Sequence, residues 1–301
     1  MKPVLITGGG GFLGGWIVRA LAQSGHPARI FDRSSDRRVL REIAGAEADR
    51  VAWVEGDVTD AAAVSEAARG CSSIIHLAAL LTPACKADPT RGATVNVIGT
   101  LNVFEAAKAH GIARVAYASS AAVFGPDDGA NPLPVTLYGA FKLACEGVAR
   151  AYWLDEGIAS VGLRPTVVYG PGREVGLTAG PTIACREAVA GRSYTIGYSG
   201  RQDLVFVADV AAAFSAAATR PFDGAHAFSL IGGTADVSEV IEAIRSEIPS
   251  ASIDFVGPKV PMAAEIAETP YDGLLGRMPR TSLQDGIART VEHYRALSEA
   301  A

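Results

Sequence analysis

Short apolar runs alternate with amphipathic stretches through the first half of the chain. Residues 2–7 predict a buried strand, and 16–22 follow with helical spacing. Residues 28–31 predict a second strand closed by Asp32, then a helical stretch over 36–44. A third strand is predicted over 50–57, and Thr59 or Asp60 is placed to cap a helix over 61–68. The same rhythm gives strands over 73–79, 113–118 and 159–164, with long helices over 91–110 and 138–157 between them. Strands alternating with amphipathic helices predict an α/β fold: a doubly wound parallel sheet covered on both faces. Ligands of such sheets sit at the strand C-terminal ends, where the strand order reverses.

After Pro165 the rhythm changes. Residues 170–200 are loop-rich around one helical stretch near 181–190. Residues 204–207 and a helix over 209–219 read as a return to the sheet. Further elements are predicted at 225–230 (strand), 237–248 (helix), 252–256 (strand) and 283–297 (helix), with a proline-rich, aperiodic segment over 257–282. The expected division is a main domain of 1–164 plus about 203–222. A smaller, discontinuous C-terminal α/β substrate lobe takes about 165–202 and 223–301.

Composition narrows the class. The chain has 301 residues, is 49% hydrophobic and 20% charged, and carries a net charge of −5. Its basic residues are scattered, so no nucleic-acid surface is expected. Cys71, Cys85, Cys145 and Cys185 form neither a metal pattern nor a disulfide framework, which points to a reducing cytoplasm. His26, His76, His110, His226 and His293 lack the spacing of a zinc helix, so no metal is expected. No apolar stretch reaches the roughly 18 residues that span a bilayer, and a chain opening directly on a strand predicts no signal peptide.

The candidate chemistry begins at the first turn. Gly8-Gly9-Gly10-Gly11-Phe12-Leu13-Gly14 joins the first strand to the first helix, in the register Gly9-x-Gly11-x-x-Gly14 or Gly8-x-x-Gly11-x-x-Gly14. Strand, glycine loop and helix together make a phosphate site. The backbone turns tightly and approaches a pyrophosphate, and the helix N-terminus offers free N–H groups. That pattern is the mark of a Rossmann dinucleotide domain. Asp32, at the next strand end, is placed to accept from both ribose hydroxyls, which favours NAD and repels the 2′-phosphate of NADP. Arg33 follows it and offsets that repulsion, and a turn or capping role for Asp32 is the plainer alternative.

Tyr138-x-x-x-Lys142 puts a phenol and an ammonium on one helical face, one turn apart. A nearby cation favours a phenolate, and a tyrosine so placed exchanges a proton with a substrate hydroxyl while hydride moves to or from nicotinamide. Ser119 and Ser120 stand at the end of the fifth strand, where one of them can bond the reacting oxygen and the other serves the turn. Asn96 lies inside the preceding helix, an unfavourable place for asparagine. It reads equally as a water-holding group or as part of a solvated face.

These motifs occur in order with Asp57-Val58, His76-Leu77-Ala78-Ala79, Gly99-Thr100, Val123-Phe124-Gly125, Leu163-Arg164-Pro165-Thr166 and Leu283-Gln284-Asp285-Gly286-Ile287. The set resembles the extended short-chain dehydrogenase/reductase family, also called the NAD-dependent epimerase/dehydratase family, over nearly the whole chain. The resemblance implies Tyr138 as acid/base, Lys142 as its modulator and ribose ligand, Ser120 as the substrate-orienting hydroxyl, and Asn96 in the catalytic set. It implies a cofactor site of Gly8, Gly11, Phe12, Leu13, Gly14, Asp32, Arg33, Asp57, Val58, Ala78, Ala79 and Pro165, together with Tyr138 and Lys142. Thr82, Ser120, Ala121, Thr166, Arg173 and Arg201 are the candidate substrate residues. A homodimer through the two long helices is implied as well. These helices carry apolar residues on more than one side (Val95, Val97, Leu101, Val103, Leu143, Val148 and Ala151), so one side is expected to face the sheet and the other a partner.

Two departures bear on the substrate. Nucleotide-sugar members of the family usually carry an asparagine where this chain has Val167, and an arginine where it has Gln202, the arginine being displaced to Arg201. Neither replacement serves a diphosphate. The expectation is NAD-dependent net oxidation or reduction of a small hydroxy or keto compound such as a free sugar or sugar acid. A nucleotide-sugar epimerase or dehydratase is the second reading, and a non-catalytic dinucleotide sensor the third.

Overall fold

A computed structural model describes residues 1–299. Seven parallel strands form the main sheet: β1 (Val4–Thr7), β2 (Ala28–Asp32), β3 (Ala52–Glu55), β4 (Ser73–His76), β5 (Arg114–Ala118), β6 (Ala159–Pro165) and a late strand, Ala225–Leu230. The order across the sheet is late strand, β6, β5, β4, β1, β2, β3. Winding therefore reverses between β4 and β1, and the crevice beyond their C-terminal ends is where such a sheet receives a ligand.

The remaining strands build the smaller lobe. Here β7 (Val167–Tyr169), β8 (Tyr194–Ile196) and β9 (Arg201–Phe206) precede the late strand, now β10, and β11 (Gly233–Asp236) and β12 (Ile253–Phe255) follow it. They form a three-stranded sheet, β11-β9-β7, and a β12-β8 pair.

The expected division needs correcting here. Of residues 204–207, read as a return to the main sheet, 204–206 lie in β9, which pairs with β7 and β11 instead, and Val207 opens the next helix. That helix, Val207–Thr219, does pack on the main sheet, behind β4, β5 and β6 and beside the helix Phe12–Gln23. Conversely β10, expected within the lobe segment 223–301, is the sheet's seventh strand, in register with β6 from Ala225↔Ser160 to Leu230↔Pro165. An apolar run specifies burial, not the neighbour that buries it. Positions 300 and 301 of the expected lobe lie outside the described residues.

One core is continuous between the lobes: Ile6, Val18 and Val161 of the main domain belong to the same buried cluster as Ile244, Ile287 and Val291 of the smaller one. The lobe is thus fixed over the strand ends by apolar contact. A polar tie joins the sheets as well. Thr166 donates to Asp203 of β9 at 2.6 Å, and Asp203 also accepts from the Gly232 N–H at 3.0 Å. Burial raises the Asp203 pKa, and these two hydrogen bonds oppose the rise.

Two helices frame the crevice. Leu137–Glu156 starts at Thr136, whose hydroxyl accepts from the Gly139 N–H at 3.1 Å, and stops at Gly157 in the left-handed region (φ 66). The expected helix over 91–110 is observed as three joined pieces: Pro89–Ala93, a π turn at Thr94–Ile98, and Gly99–Ala109. A π turn adds a residue to the helical circuit and frees a carbonyl from the regular ladder. Within this turn the Asn96 carbonyl accepts from the Thr100 hydroxyl at 2.6 Å and the Cys145 thiol at 3.2 Å.

Candidate active site

The glycine loop wraps the start of the crevice. Gly8 has φ +70, and a Cβ there would sit 2.7 Å from the Ala78 nitrogen, so only glycine fits. At Gly14 a Cβ would run into the Gly9 carbonyl, which lets the first helix start flush against the loop. Gly11 caps that helix without a side chain, leaving its first N–H groups open to an anion. Phe12 and Leu13 turn into the core and pack against it. Ile6 below the loop is fully buried, so the loop stands on a rigid strand.

A cleft of about 350 Å³ opens beside the loop, lined by Gly8, Gly11, Asp32, Arg33, Asp57, Val58, Ala78 and Ala79 among others. Eight of the expected cofactor residues therefore share one wall. Asp32 accepts from the Gly10 N–H at 3.0 Å and the Ser34 N–H at 3.2 Å, which turns its carboxylate into the cleft. Arg33 is exposed at the rim. Asp57 accepts from both the N–H and the hydroxyl of Thr59 at 2.9 Å. The backbone bond foremost holds its pKa below the usual value. A glycine cradle closed to any Cβ, an open helix start and a carboxylate at the second strand end suit a dinucleotide, with the pyrophosphate on the loop and a ribose at Asp32. Among the described residues no group of three or more His, Cys, Asp or Glu side chains is placed to hold a metal, and no helix is long and apolar enough to cross a membrane.

Farther along the crevice, Lys142 is 3% exposed and donates to the Ala118 carbonyl at 2.6 Å, with its Nζ 5.7 Å from the centre of the Tyr138 ring. Tyr138 is half-buried, with no hydrogen-bond partner for its hydroxyl among the described residues. The two serines divide their tasks. Ser119 is buried and donates to Glu146, which is also gripped by both Nε and Nη2 of Arg164. Ser120 is half-buried, and its oxygen accepts from the Ala122 N–H at 3.1 Å, capping a 3-10 turn at Ala121–Val123. Its own O–H remains to donate.

Asn96 is 1% exposed, so the solvated-face reading fails. Its amide closes a two-bond clasp on Leu80, donating to the carbonyl at 3.1 Å and accepting from the N–H at 3.2 Å. That clasp fixes the segment carrying Ala78 and Ala79. Pro165 ends β6, paired in register with Leu230.

The substrate candidates fare unevenly. Thr82 is half-exposed at a helix start. Ala121 is fully buried in a small cluster with Val123 and Phe124. Thr166 is committed to Asp203. Arg201 is exposed, whereas Gln202 is buried, because neighbours on a strand point to opposite faces. Displacing the arginine by one position therefore moved it out of the face that Gln202 occupies. Arg173 stands near Tyr138, closely enough for their charges to interact.

Two groups were not anticipated. Glu146 lies one turn beyond Lys142 on the same helix face, a spacing visible in the sequence, but its buried pairing with Arg164 was not. His76 accepts at Nδ1 from the Thr7 hydroxyl (2.7 Å) and lies 3.1 Å through Nε2 from the Thr100 hydroxyl. Thr100 donates onward to Asn96, so the network places the proton on Nε2. Burial, with the nearby Lys142 charge, pulls the His76 pKa down to about 3 and leaves the ring neutral.

Residues 4–230 match the family described as the NAD dependent epimerase/dehydratase family. Over 98% of this chain and 99% of its own length, UDP-glucose 4-epimerase of Mycolicibacterium smegmatis is 31% identical. The 2-alkyl-3-oxoalkanoate reductase of Stenotrophomonas maltophilia is 35% identical over 56% of this chain and 52% of its own length. Among solved structures, the UDP-glucose 4-epimerase of Thermus thermophilus in complex with NAD superposes with a TM-score of 0.83 at 26% identity, covering 97% of this chain and 99% of that one.

Proposed function

Because the chain belongs to the NAD-dependent epimerase/dehydratase family, we propose that it is an NAD-dependent oxidoreductase acting on a small hydroxy or keto substrate. Bound NAD supplies the hydride acceptor. The observation that carries the reading is the buried ammonium of Lys142, which meets no carboxylate among the described residues, beside the Tyr138 ring. Tyr138 takes the proton of the substrate hydroxyl while the carbinol carbon loses its hydride, leaving a ketone or aldehyde. Ser120 donates its O–H to the reacting oxygen. Lys142 stabilises negative charge on the phenol oxygen in a site where apolar surroundings strengthen the attraction. Asn96 acts one step back, by holding the Leu80 backbone.

The substrate proposed is a free sugar, a sugar acid or another small hydroxy compound without a nucleotide diphosphate. Val167 offers no donor, Gln202 no charge, and Arg201 faces away from the position that Gln202 fills. Losing one charge-assisted contact costs about 1.5–3 kcal/mol, or tenfold and more in affinity. The full-length match to a UDP-glucose 4-epimerase favours the second reading, a nucleotide-sugar epimerase in which NAD is reduced and reoxidised in one turnover. Incubating the enzyme and NAD with free sugars, sugar acids and hydroxy acids, and separately with UDP-glucose and dTDP-glucose, decides between them. Net formation of NADH from the first group supports the proposal. Efficient conversion of a nucleotide sugar without net NADH replaces it with the epimerase.

The same chain is proposed to work as a cytoplasmic homodimer. The helix Leu137–Glu156 exposes a close-packing face of Ala140, Ala144, Gly147 and Ala151, with Leu154 69% exposed beside it and Ile98 44% exposed on the neighbouring helix. Light scattering at micromolar protein should give twice the chain mass, and a monomer mass removes the idea. Four buried free thiols suit a reducing compartment.

A further inference from the structure

The loop after β7 holds a cation with no counter-ion among the described residues. Arg173 donates through Nη1 to the Val168 carbonyl at 2.6 Å and through Nη2 to the Thr178 hydroxyl at 3.0 Å. Part of the residue is open, but its Nε is closed off from solvent and meets no acceptor among the described residues. No carboxylate there lies within ion-pairing distance of it. Its sequence neighbour Glu174 is taken up by Arg38 at 2.9 Å and Arg186 at 3.4 Å. Burial lowers the Arg173 pKa, with Tyr198 and Tyr138 close enough to oppose the effect.

The surroundings are apolar on one side. A Cβ at Gly176 (φ +109) would lie 3.4 Å from Arg173 Nη2 and 3.7 Å from Leu81 Cδ1, so the loop, the guanidinium and Leu81 meet at one point. Leu81, Val175 and Leu177 are 43%, 74% and 51% exposed around it. The arginine fork, held from two sides, is pre-organised for a planar carboxylate.

Resting on the net-redox reading above, we propose that the substrate is a hydroxy acid, or the keto acid it yields, whose carboxylate pairs with Arg173 while its hydroxyl meets Tyr138. The bond changes are those of the proposed reaction, with hydride passing to NAD and the hydroxyl proton to Tyr138. Arg173 binds and orients, and no proton or electron passes through it. A neutral sugar leaves the cation unpaired and binds worse for that reason.

The test separates binding from turnover. Calorimetry of the enzyme–NAD complex with acetate, butyrate and malonate, each against its neutral amide, should show the carboxylates binding at least tenfold tighter. In Arg173→Gln that preference should collapse to near unity, and in Arg173→Lys it should survive in part, because charge remains and the fork is lost. Titration with NAD and a thermal melt confirm that each variant is folded. If carboxylates and amides bind alike in the wild type, or if the preference persists in Arg173→Gln, the proposal is overturned. Turnover of matched hydroxy acids and their methyl esters should follow the same ratios. Carboxylate binding that depends on Arg173 without net NADH formation from any hydroxy acid retains the anion site and removes the redox reading instead.

Discussion

Asn96 clasps Leu80 by both of that residue's backbone polar groups, from the π turn of one helix across to the segment that leaves β4. The clasp spans the cofactor side of the crevice, since Ala78 and Ala79 line the cleft just before it. Asn96→Leu removes both bonds and strands the Leu80 N–H, while the carbonyl keeps only the Cys85 thiol at 3.2 Å. At about 1–3 kcal/mol for a buried group left unsatisfied, we expect a clear fall in the urea midpoint and at least a several-fold weaker grip on NAD. Unchanged NAD affinity in a folded Asn96→Leu protein would show that the Leu80 segment holds its shape without the clasp.

Tyr138→Phe should lose nearly all turnover and keep NAD affinity, because only the proton-carrying oxygen goes. Lys142→Ala should damage both, since it also frees the Ala118 carbonyl from its buried donor. Steady-state kinetics and NAD titration of the two variants check the pair. Substantial residual turnover in Tyr138→Phe would remove the acid/base assignment.

NAD should bind at least tenfold tighter than NADP, because the Asp32 carboxylate, held by the Gly10 and Ser34 amides, faces the cleft where a 2′-phosphate would stand. Asp32→Ser should narrow or reverse the ratio, with Arg33 at the rim left to receive the phosphate. Calorimetry with both cofactors reads this directly. Equal or tighter NADP binding to the wild type would mean that Arg33 governs the pocket.

The Arg164–Glu146 pair is about a tenth exposed on each side and ties the end of β6 to the helix Leu137–Glu156, with Ser119 as a third member. Glu146→Leu leaves the Arg164 charge buried alone, at a cost of about 3–5 kcal/mol. Replacing both residues with apolar ones of similar size should cost much less. Urea unfolding of Glu146→Leu, Arg164→Met and the double variant measures the coupling, and strict additivity would show that the two charges act independently.

His76 makes stability depend on pH. Its folded pKa, about 3, lies below the unfolded value of 6.5, so the unfolded chain takes up a proton that the folded one refuses. The contribution is intact above pH 6.5 and is lost as pH falls from there toward 3, with a limiting slope of about 1.4 kcal/mol per unit. His76→Gln should flatten this part of the profile in urea melts between pH 7 and 4. An unchanged slope would mean that His76 is protonated in the folded state.

The sequence by itself determined what near neighbours decide. The glycine loop, the Asp32 strand end, the Tyr138–Lys142 spacing and the alternation of strands with helices are each set within a few residues, by backbone freedom and side-chain periodicity. Only the tertiary structure decided matters that depend on partners far along the chain. The runs at 204–206 and 225–230 both read as strands from their own residues. Pairing with β7 drew the first into the small lobe, and pairing with β6 drew the second into the main sheet. Ser119 and Ser120 are chemically alike, and Glu146, from a helix 27 residues on, took one of them and left the other free to donate. Arg201 differs from the buried position of Gln202 by one residue, which in a strand is a change of face. Arg173 looks like any loop arginine until Glu174 is seen paired with Arg38 and Arg186, leaving the guanidinium without an acid of its own.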